Sequence, residues 1–541
     1  MKRLDLLGLC AFLMAILIAS VGLFTYFSFD DYIYLHRAEE HASSLRTFFA
    51  PFYTFSPWLS YRPLPTMFWV VLFWLFGASP APYAIGVILI FGAMVFFIYR
   101  IGCLLAGRAA GLISCLLVSL YFPIYSVAWS RCSSSLQMEL FFLASAMFYL
   151  LRWAKSQSGL CEQTCLPVIG ILLMIGAFLS KETSFLAPLL LPLLVPKRRV
   201  VKLSAGLFLL GVFIFLVSRT LITSRFPLPA PRFEFSLIIR NLEFFLRGQF
   251  LFYLPASLII LAALAWGSKN RHVWLLVSMA LFTAMNMLFG YTVAAHRLKL
   301  VVCLAALIYC VLRAPARARF PLGWAALLLL PPLLVLDTTV HQSTESFLGF
   351  SLFIGVGVAR QTRLAWRIMA GKLKVESRKS KVESAKSKVG SWIRRAVGSR
   401  RGLLPLLRIT GATACVLLLI YAAYAIISLN VRIGAPEARR MVQASRLTRD
   451  IREYLCGMHG SGSTIHSTNL PGLISVPDIP FDAWLHGCRL DVDDDLSAKD
   501  GIFVVADEAP KGTVDEIRSR SRLITRLVRE PYQVMVFSTS D

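Results

Sequence analysis

The sequence predicts an all-α polytopic membrane protein with about 13 transmembrane helices and a small C-terminal extracytoplasmic α/β or α+β domain. Three observations lead there. The chain of 541 residues is 57% hydrophobic, with a mean hydropathy of +0.66, which a soluble globular protein does not sustain. Its apolar runs recur at span length. After Leu429 the composition turns polar and stays so.

The first run, Leu6 to Phe27, follows the basic start Met1-Lys2-Arg3 and is long enough to cross a bilayer. More apolar residues follow Ile18-Ala19-Ser20, so the run reads as a retained anchor and not as a cleaved signal. Further spans are expected near 81–101, 112–129, 136–152, 166–180, 183–196 and 203–222. Later ones fall near 248–266, 273–290, 298–312, 320–337, 340–359 and 403–428. In the span at 340–359, His341 and Glu345 dilute the apolar character. Residues 64–77 are apolar but short before Gly77 and Pro80, which suits a helix lying in the interface. Residues 1–429 thus form a transmembrane module, with a first outer loop at 28–64 and a basic cytoplasmic loop at 360–402. Residues 430–541 form the C-terminal domain, with a helix from Glu437 to Leu455 and strands at 463–468 and 501–506.

The net charge of +26 is a topology signal. With a cytoplasmic N-terminus, cytoplasmic loops collect roughly 29 Lys/Arg against roughly 11 in the opposite short loops. This placement explains the basic balance without nucleic acid as a partner. The low-complexity tract at 374–388 reads as a solvated insertion. An odd number of spans sends the C-terminal domain outward, where Cys456 and Cys488 could pair in an oxidising compartment. The acidic run from Asp491 to Asp495 lacks the glycine and terminal Glu of a calcium loop. Cys161 and Cys165 lack a second ligand pair for zinc. No metal site and no cofactor are implied.

Five charged stretches fall on the outer side in this topology. Phe29-Asp30-Asp31-Tyr32 follows the first span. Ser60-Tyr61-Arg62-Pro63-Leu64 closes the first loop, and Ala128-Trp129-Ser130-Arg131 ends the third span. Ser180-Lys181-Glu182-Thr183 turns the fifth span into the sixth, and His296-Arg297-Leu298-Lys299 opens the tenth. Two adjacent carboxylates repel, so they must be hydrated, paired or used; a helix N-cap is the plain structural alternative. Charges at span ends must snorkel, pair or face an aqueous cavity. Taken together, carboxylates and cations on one membrane face suit transfer from a phosphate leaving group. Such a step needs a base for the acceptor and cations for the departing charge.

In their order these stretches resemble the GT-C superfamily of polyprenyl-phosphate-sugar-dependent glycosyltransferases. The likeness extends to the protein O-mannosyltransferases and to the transmembrane O-mannosyltransferases that carry TPR repeats. The matching residues are Asp30-Asp31, Arg62-Pro63-Leu64, Pro123 through Val127 to Arg131, and Lys181-Glu182. Motifs cover roughly residues 1–200. No TPR repeat is present, and the His/acid-containing stretch expected after Pro123 reads Ile124-Tyr125-Ser126.

The resemblance implies a GT-C-like fold and an inverting, mannosyltransferase-like enzyme. It would move a hexose or pentose from a polyprenyl-phosphate donor to a hydroxyl on a protein or an envelope glycolipid, in contact with membrane lipids. By this likeness Asp30 and Asp31 are the catalytic acids, with Asp30 the base. Arg62, Arg131, Lys181, Glu182 and Arg297 surround the donor phosphate. The setting implied is a bacterial inner membrane with the site facing the periplasm. A lipid-linked-sugar flippase or transporter would instead show internal repeats and mid-span charges, and a polysaccharide polymerase or ligase a large late outer loop.

Overall fold

A computed structural model describes residues 6–25, 27, 31–53, 61–121, 128–129, 131–156, 160–223, 238, 240–241, 316–333, 344–357, 359, 435–459, 463–468, 490–493, 502–506, 511–529 and 532–538. Four of the described helices are long and apolar enough to cross a membrane: Leu6–Phe24, Pro80–Ala106, Ser134–Lys155 and Arg198–Val217. Shorter apolar helices accompany them at Pro63–Phe76, Arg108–Leu120, Thr164–Ser180, Thr183–Leu194 and Thr344–Gly357. The spans expected at 248–266, 273–290, 298–312 and 403–428 lie outside the described residues, as does the loop at 360–402.

Helix α1 (Leu6–Ala19) shows how the module packs. Gly8, Ala11, Ala15 and Ala19 recur every three or four residues and are buried, so a stripe of small side chains faces inward. Leu6, Leu9, Leu13 and Leu17 lie on the opposite side and are exposed, as a lipid-facing stripe requires. Small residues let backbones approach closely. Thus Gly8 lies against Phe96 and Tyr99 of α4 (Pro80–Ala106). After a 3-10 extension (Ser20–Phe24), the chain enters α2 (Asp31–Ala42), which packs on α3 (Pro63–Phe76).

Gly107, at φ 88°, ends α4 and turns the chain into α5 (Arg108–Leu120). A residue with a Cβ would be strained there. The two helices cross at a glycine pair: a Cβ on Gly102 would sit 2.7 Å from the Gly111 Cα, and one on Gly111 2.6 Å from the Tyr99 carbonyl oxygen. Helix α5 corrects the span expected at 112–129. It starts earlier and stops at Leu120, because Pro123 disfavours helical backbone just before it. Next come α6 (Ser134–Lys155), buried along most of its length, and α7 (Leu160–Ser180). The stretch expected as a span at 183–196 is mainly a 3-10 helix, Glu182–Leu190, capped by α8 (Leu191–Leu194). Pro188 and Pro192 remove amide donors that an α-helix would use there. Helices α9 (Arg198–Thr223), α10 (Ala316–Leu327) and α11 (Thr344–Gly357) complete the described bundle.

Contacts at the helix ends fix an alternating course. At one end Lys155 of α6 donates to the Leu104 carbonyl of α4 at 2.8 Å, and Arg199 of α9 stacks on Trp153 with 5.2 Å to the ring centre. At the other end Arg131, just before α6, meets the start of α4 and the end of α1. The C-terminal residues form a five-stranded mixed sheet in the order β2-β1-β3-β5-β4. Its strands are β1 (Ser463–Thr468), β2 (Leu490–Asp493), β3 (Ile502–Ala506), β4 (Arg522–Arg529) and β5 (Tyr532–Ser538). Alternation along β3 and β5 sends Ile502, Val504, Val534 and Val536 to one face, under Ala444, Leu447, Ile451 and Leu455 of α12 (Ala435–His459). Phe503, Val505 and Met535 face the opposite way, against Val514 and Ile517 of α13 (Lys511–Arg520). Cys456, on α12, is disulfide-bonded; Cys488 lies outside the described residues.

Candidate active site

The site is built at the end of the bundle where α1 stops and α4 and α6 start. Phe27, Tyr32, Tyr34, Trp69 and Tyr83 form an aromatic cluster there. Tyr34 stacks on Trp69 at 5.4 Å between ring centres, and Trp69 meets Tyr83 at 4.8 Å. The Trp69 indole donates to the Ser134 hydroxyl at 3.0 Å, tying α3 to the first turn of α6. Asp31 opens α2 beside this cluster and is 1% exposed. The carboxylate at 31 therefore does not stand in open solvent as an ordinary turn acid would. Asp30 and Arg297 lie outside the described residues, and Glu182 opens the 3-10 helix.

Arg131 is as buried as Asp31, also 1% exposed. Its guanidinium donates to the Thr25 carbonyl at 2.6 Å, the Gly22 carbonyl at 3.3 Å, the Thr25 hydroxyl at 3.0 Å and the Pro80 carbonyl at 3.2 Å. Phe27 covers its face at 5.3 Å. The sequence assigned Arg131 to the donor phosphate. Four of its contacts run to the Gly22, Thr25 and Pro80 carbonyls and the Thr25 hydroxyl, which is the geometry of a clamp. Nothing in the residue type announced this, because the carbonyl partners carry no sequence signal.

Arg62 and Lys181 are placed differently. Arg62 precedes α3, is half-buried, and points Nη1 to 3.5 Å from the Ser135 hydroxyl of α6. Lys181 joins α7 to the 3-10 helix. Its Nζ lies 3.0 Å from Glu345 Oε1 and 3.6 Å from Glu139 Oε2. Burial alone would lower the Lys181 ammonium, and Arg62 nearby pushes the same way. The Glu345 and Glu139 carboxyls outweigh both, so its pKa moves up and it stays charged. Ser135 and Glu139 are four residues apart on one face of α6, which joins the Arg62 and Lys181 positions into one polar track.

Glu139 and Glu345 were missed as site residues, although Glu345 was noted for diluting a span. The available signal was an acid inside an apolar helix, which is costly unless paired or used. Thr183 bridges the two, its hydroxyl oxygen 2.8 Å from Oε1 of each. Among the described residues, no group of three or more His, Cys, Asp or Glu is placed to hold a metal ion.

A solved structure shares this course of the chain. ArnT from Cupriavidus metallidurans in the apo state is 14% identical, with a TM-score of 0.50 over 98% of this chain and 97% of that one. The chain shares the fold of ArnT. The crystal structure of the same ArnT bound to undecaprenyl phosphate gives 13% identity and a TM-score of 0.48, covering 98% of each chain. No family model matches the chain, and neither does any curated protein. At this identity the likeness to ArnT is one of fold, and the chemistry must be argued from the residues themselves.

Proposed function

We propose that the protein is an integral-membrane inverting glycosyltransferase. It takes a sugar from a polyprenyl-phosphate donor and passes it to a hydroxyl on a protein or an envelope glycolipid, on the extracytoplasmic side. This reading is supported by the burial of Asp31 at the start of α2, and by Arg62 and Lys181 lying along one polar track of α6 in a bundle with the fold of ArnT. The Cys456 disulfide favours an outward C-terminal region, because such bonds persist in oxidising compartments.

In this reading Asp30 removes the proton of the acceptor hydroxyl while Asp31, buried beside it, orients the pair. The acceptor oxygen attacks the anomeric carbon opposite the phosphate, the bond to the phosphate oxygen breaks, and configuration inverts. Charge grows on the departing lipid phosphate, where Arg62 and Lys181 stabilise it. Glu182 belongs to the same phosphate end by motif order, and Arg297 by its expected place at the outer start of the tenth span. That order favours a mannosyl donor, with other hexoses and pentoses as competitors in the assay. A lipid-linked-sugar flippase would place ionisable groups at mid-membrane. Glu139 and Glu345 do lie inside helices, but Glu139 is about 8 Å from the start of α6 and Glu345 is in the first turn of α11. That favours transfer over transport.

The test is to incubate purified protein with a panel of polyprenyl-phosphate sugars and measure release of the lipid phosphate. Asp30→Asn should slow transfer by about 10²–10⁴-fold while donor binding persists, since general-base catalysis contributes that much. Asp31→Asn should cost less. An Asp30→Asn, Asp31→Asn double variant with full activity would end this mechanism.

A further inference from the structure

The cluster of Glu139, Thr183, Glu345 and Lys181 contains more acceptors than its donors can serve. Both acids are fully buried, one on α6 and one on α11. The Thr183 oxygen lies 2.8 Å from Glu139 Oε1 and 2.8 Å from Glu345 Oε1. A hydroxyl has a single proton to give. It satisfies one of those oxygens as a donor; the other contact is favourable only if that carboxyl carries a proton and donates it to Thr183. Sharing one hydroxyl brings the two carboxyl groups close together, which two ionised groups would resist. Oε2 of each acid is buried without a hydrogen-bond partner, and that of Glu139 has only the Lys181 ammonium at 3.6 Å. Carboxylate oxygens left so are far costlier when charged than when neutral.

We infer that this cluster is a buried proton-binding site that holds one proton on Glu139. Lys181 decides which acid takes it. The ammonium is 3.0 Å from Glu345 and 3.6 Å from Glu139, so Glu345 is the ionised partner and Glu139 the neutral one. The chain of donation then runs from the Glu139 carboxyl to the Thr183 oxygen, from the Thr183 hydroxyl to Glu345 Oε1, and from Lys181 Nζ to that same oxygen. Every proton is counted once, and the four side chains sum to zero charge. Arg62 is the other described cation facing this cluster, half-buried and directed at Ser135. The inference concerns the resting cluster and stands apart from the transfer reaction proposed above.

Gln has the shape of a protonated carboxyl, so the two acids should respond oppositely to the same change. In detergent, Glu139→Gln should melt where the wild type does, and Glu345→Gln should melt several degrees lower, because it strips Lys181 of its nearer counter-charge. Adding Lys181→Met to Glu345→Gln should recover part of the loss. Infrared spectra at neutral pH should show a protonated-carboxyl carbonyl band in the wild type that disappears in Glu139→Gln. Equal destabilisation by the two Gln variants, with no band lost, would mean both acids are ionised and would overturn the assignment. A band lost in Glu345→Gln instead would overturn it as well. So would a melting point raised by Mg²⁺ or Zn²⁺ in the wild type but not in Glu139→Gln, since a metal would then hold the position of the proton.

Discussion

Replacing Arg131 by Met tests the clamp most directly. Met retains the apolar stem and can still lie against Phe27, so the change removes mainly the guanidinium. The losses are unequal. The Gly22 carbonyl keeps the Thr25 hydroxyl as a donor at 2.8 Å, and that hydroxyl also approaches the Trp129 carbonyl at 3.4 Å. The Thr25 and Pro80 carbonyls, at 2.6 and 3.2 Å from Arg131, lose a charged donor. A hydrogen bond to a charged group contributes about 1.5–3 kcal/mol, and an orphaned buried acceptor costs a similar amount, so about 4 kcal/mol is expected in total. At roughly 2 °C per kcal/mol for a large cooperative unit, the melting temperature should fall by about 8 °C. A thiol-reactive fluorophore in detergent can follow this: among the described free cysteines Cys115 is buried and reacts only on unfolding, while Cys10 and Cys165 are exposed and react beforehand. Arg131→Lys should rescue little, because an ammonium lacks the planar fork that reaches several carbonyls at once. An Arg131→Met protein with wild-type melting would refute the clamp.

Two further outcomes follow from the packing and the charge pattern. Gly111→Ala should destabilise the α4–α5 crossing by about 1–3 kcal/mol, because its Cβ would meet the Tyr99 carbonyl oxygen at 2.6 Å and backbone cannot rotate away; unchanged thermal stability would count against so close a crossing. Single cysteines at Ser44 and Ser521 should react with an impermeant reagent from outside the cell, and one at Ser384 should not; labelling of position 384 from outside would reverse the orientation.

Much of the bundle was legible because a bilayer imposes simple demands. The exposed leucines of α1 and the break at Gly107 are written in hydropathy and in glycine placement. The strand at Ser463–Thr468 and the helix over Glu437–Leu455 followed from periodicity, with the helix extending to Ala435 and His459. Lys181 was legible as a charge in an apolar turn, but its partners were not. Thr183 and Glu345 are 162 residues apart, and only the packing of α11 against the 3-10 segment brings them together. Arg131 was legible as a charge at a span end and not as a clamp. The helix type at Glu182–Leu190 was missed because hydropathy sees apolar residues and not the two prolines' missing donors.

That 3-10 helix bears on bilayer thickness. Counted as α-helix, the 13 residues from Glu182 to Leu194 would rise only about 20 Å, well short of a hydrocarbon core of about 30 Å. A 3-10 helix climbs about 2.0 Å per residue, so the nine residues Glu182–Leu190 with the four of α8 reach about 24 Å. The tighter winding extends a short segment most of the way across without adding residues. It also places Thr183, Leu186 and Leu189 in one line along the helix, as a three-residue turn requires. A segment stretched in this way has little slack left to follow a thicker membrane. The protein should therefore be stiffest to changes in lipid chain length beside Lys181, where mismatch would pull directly on the Thr183 contacts.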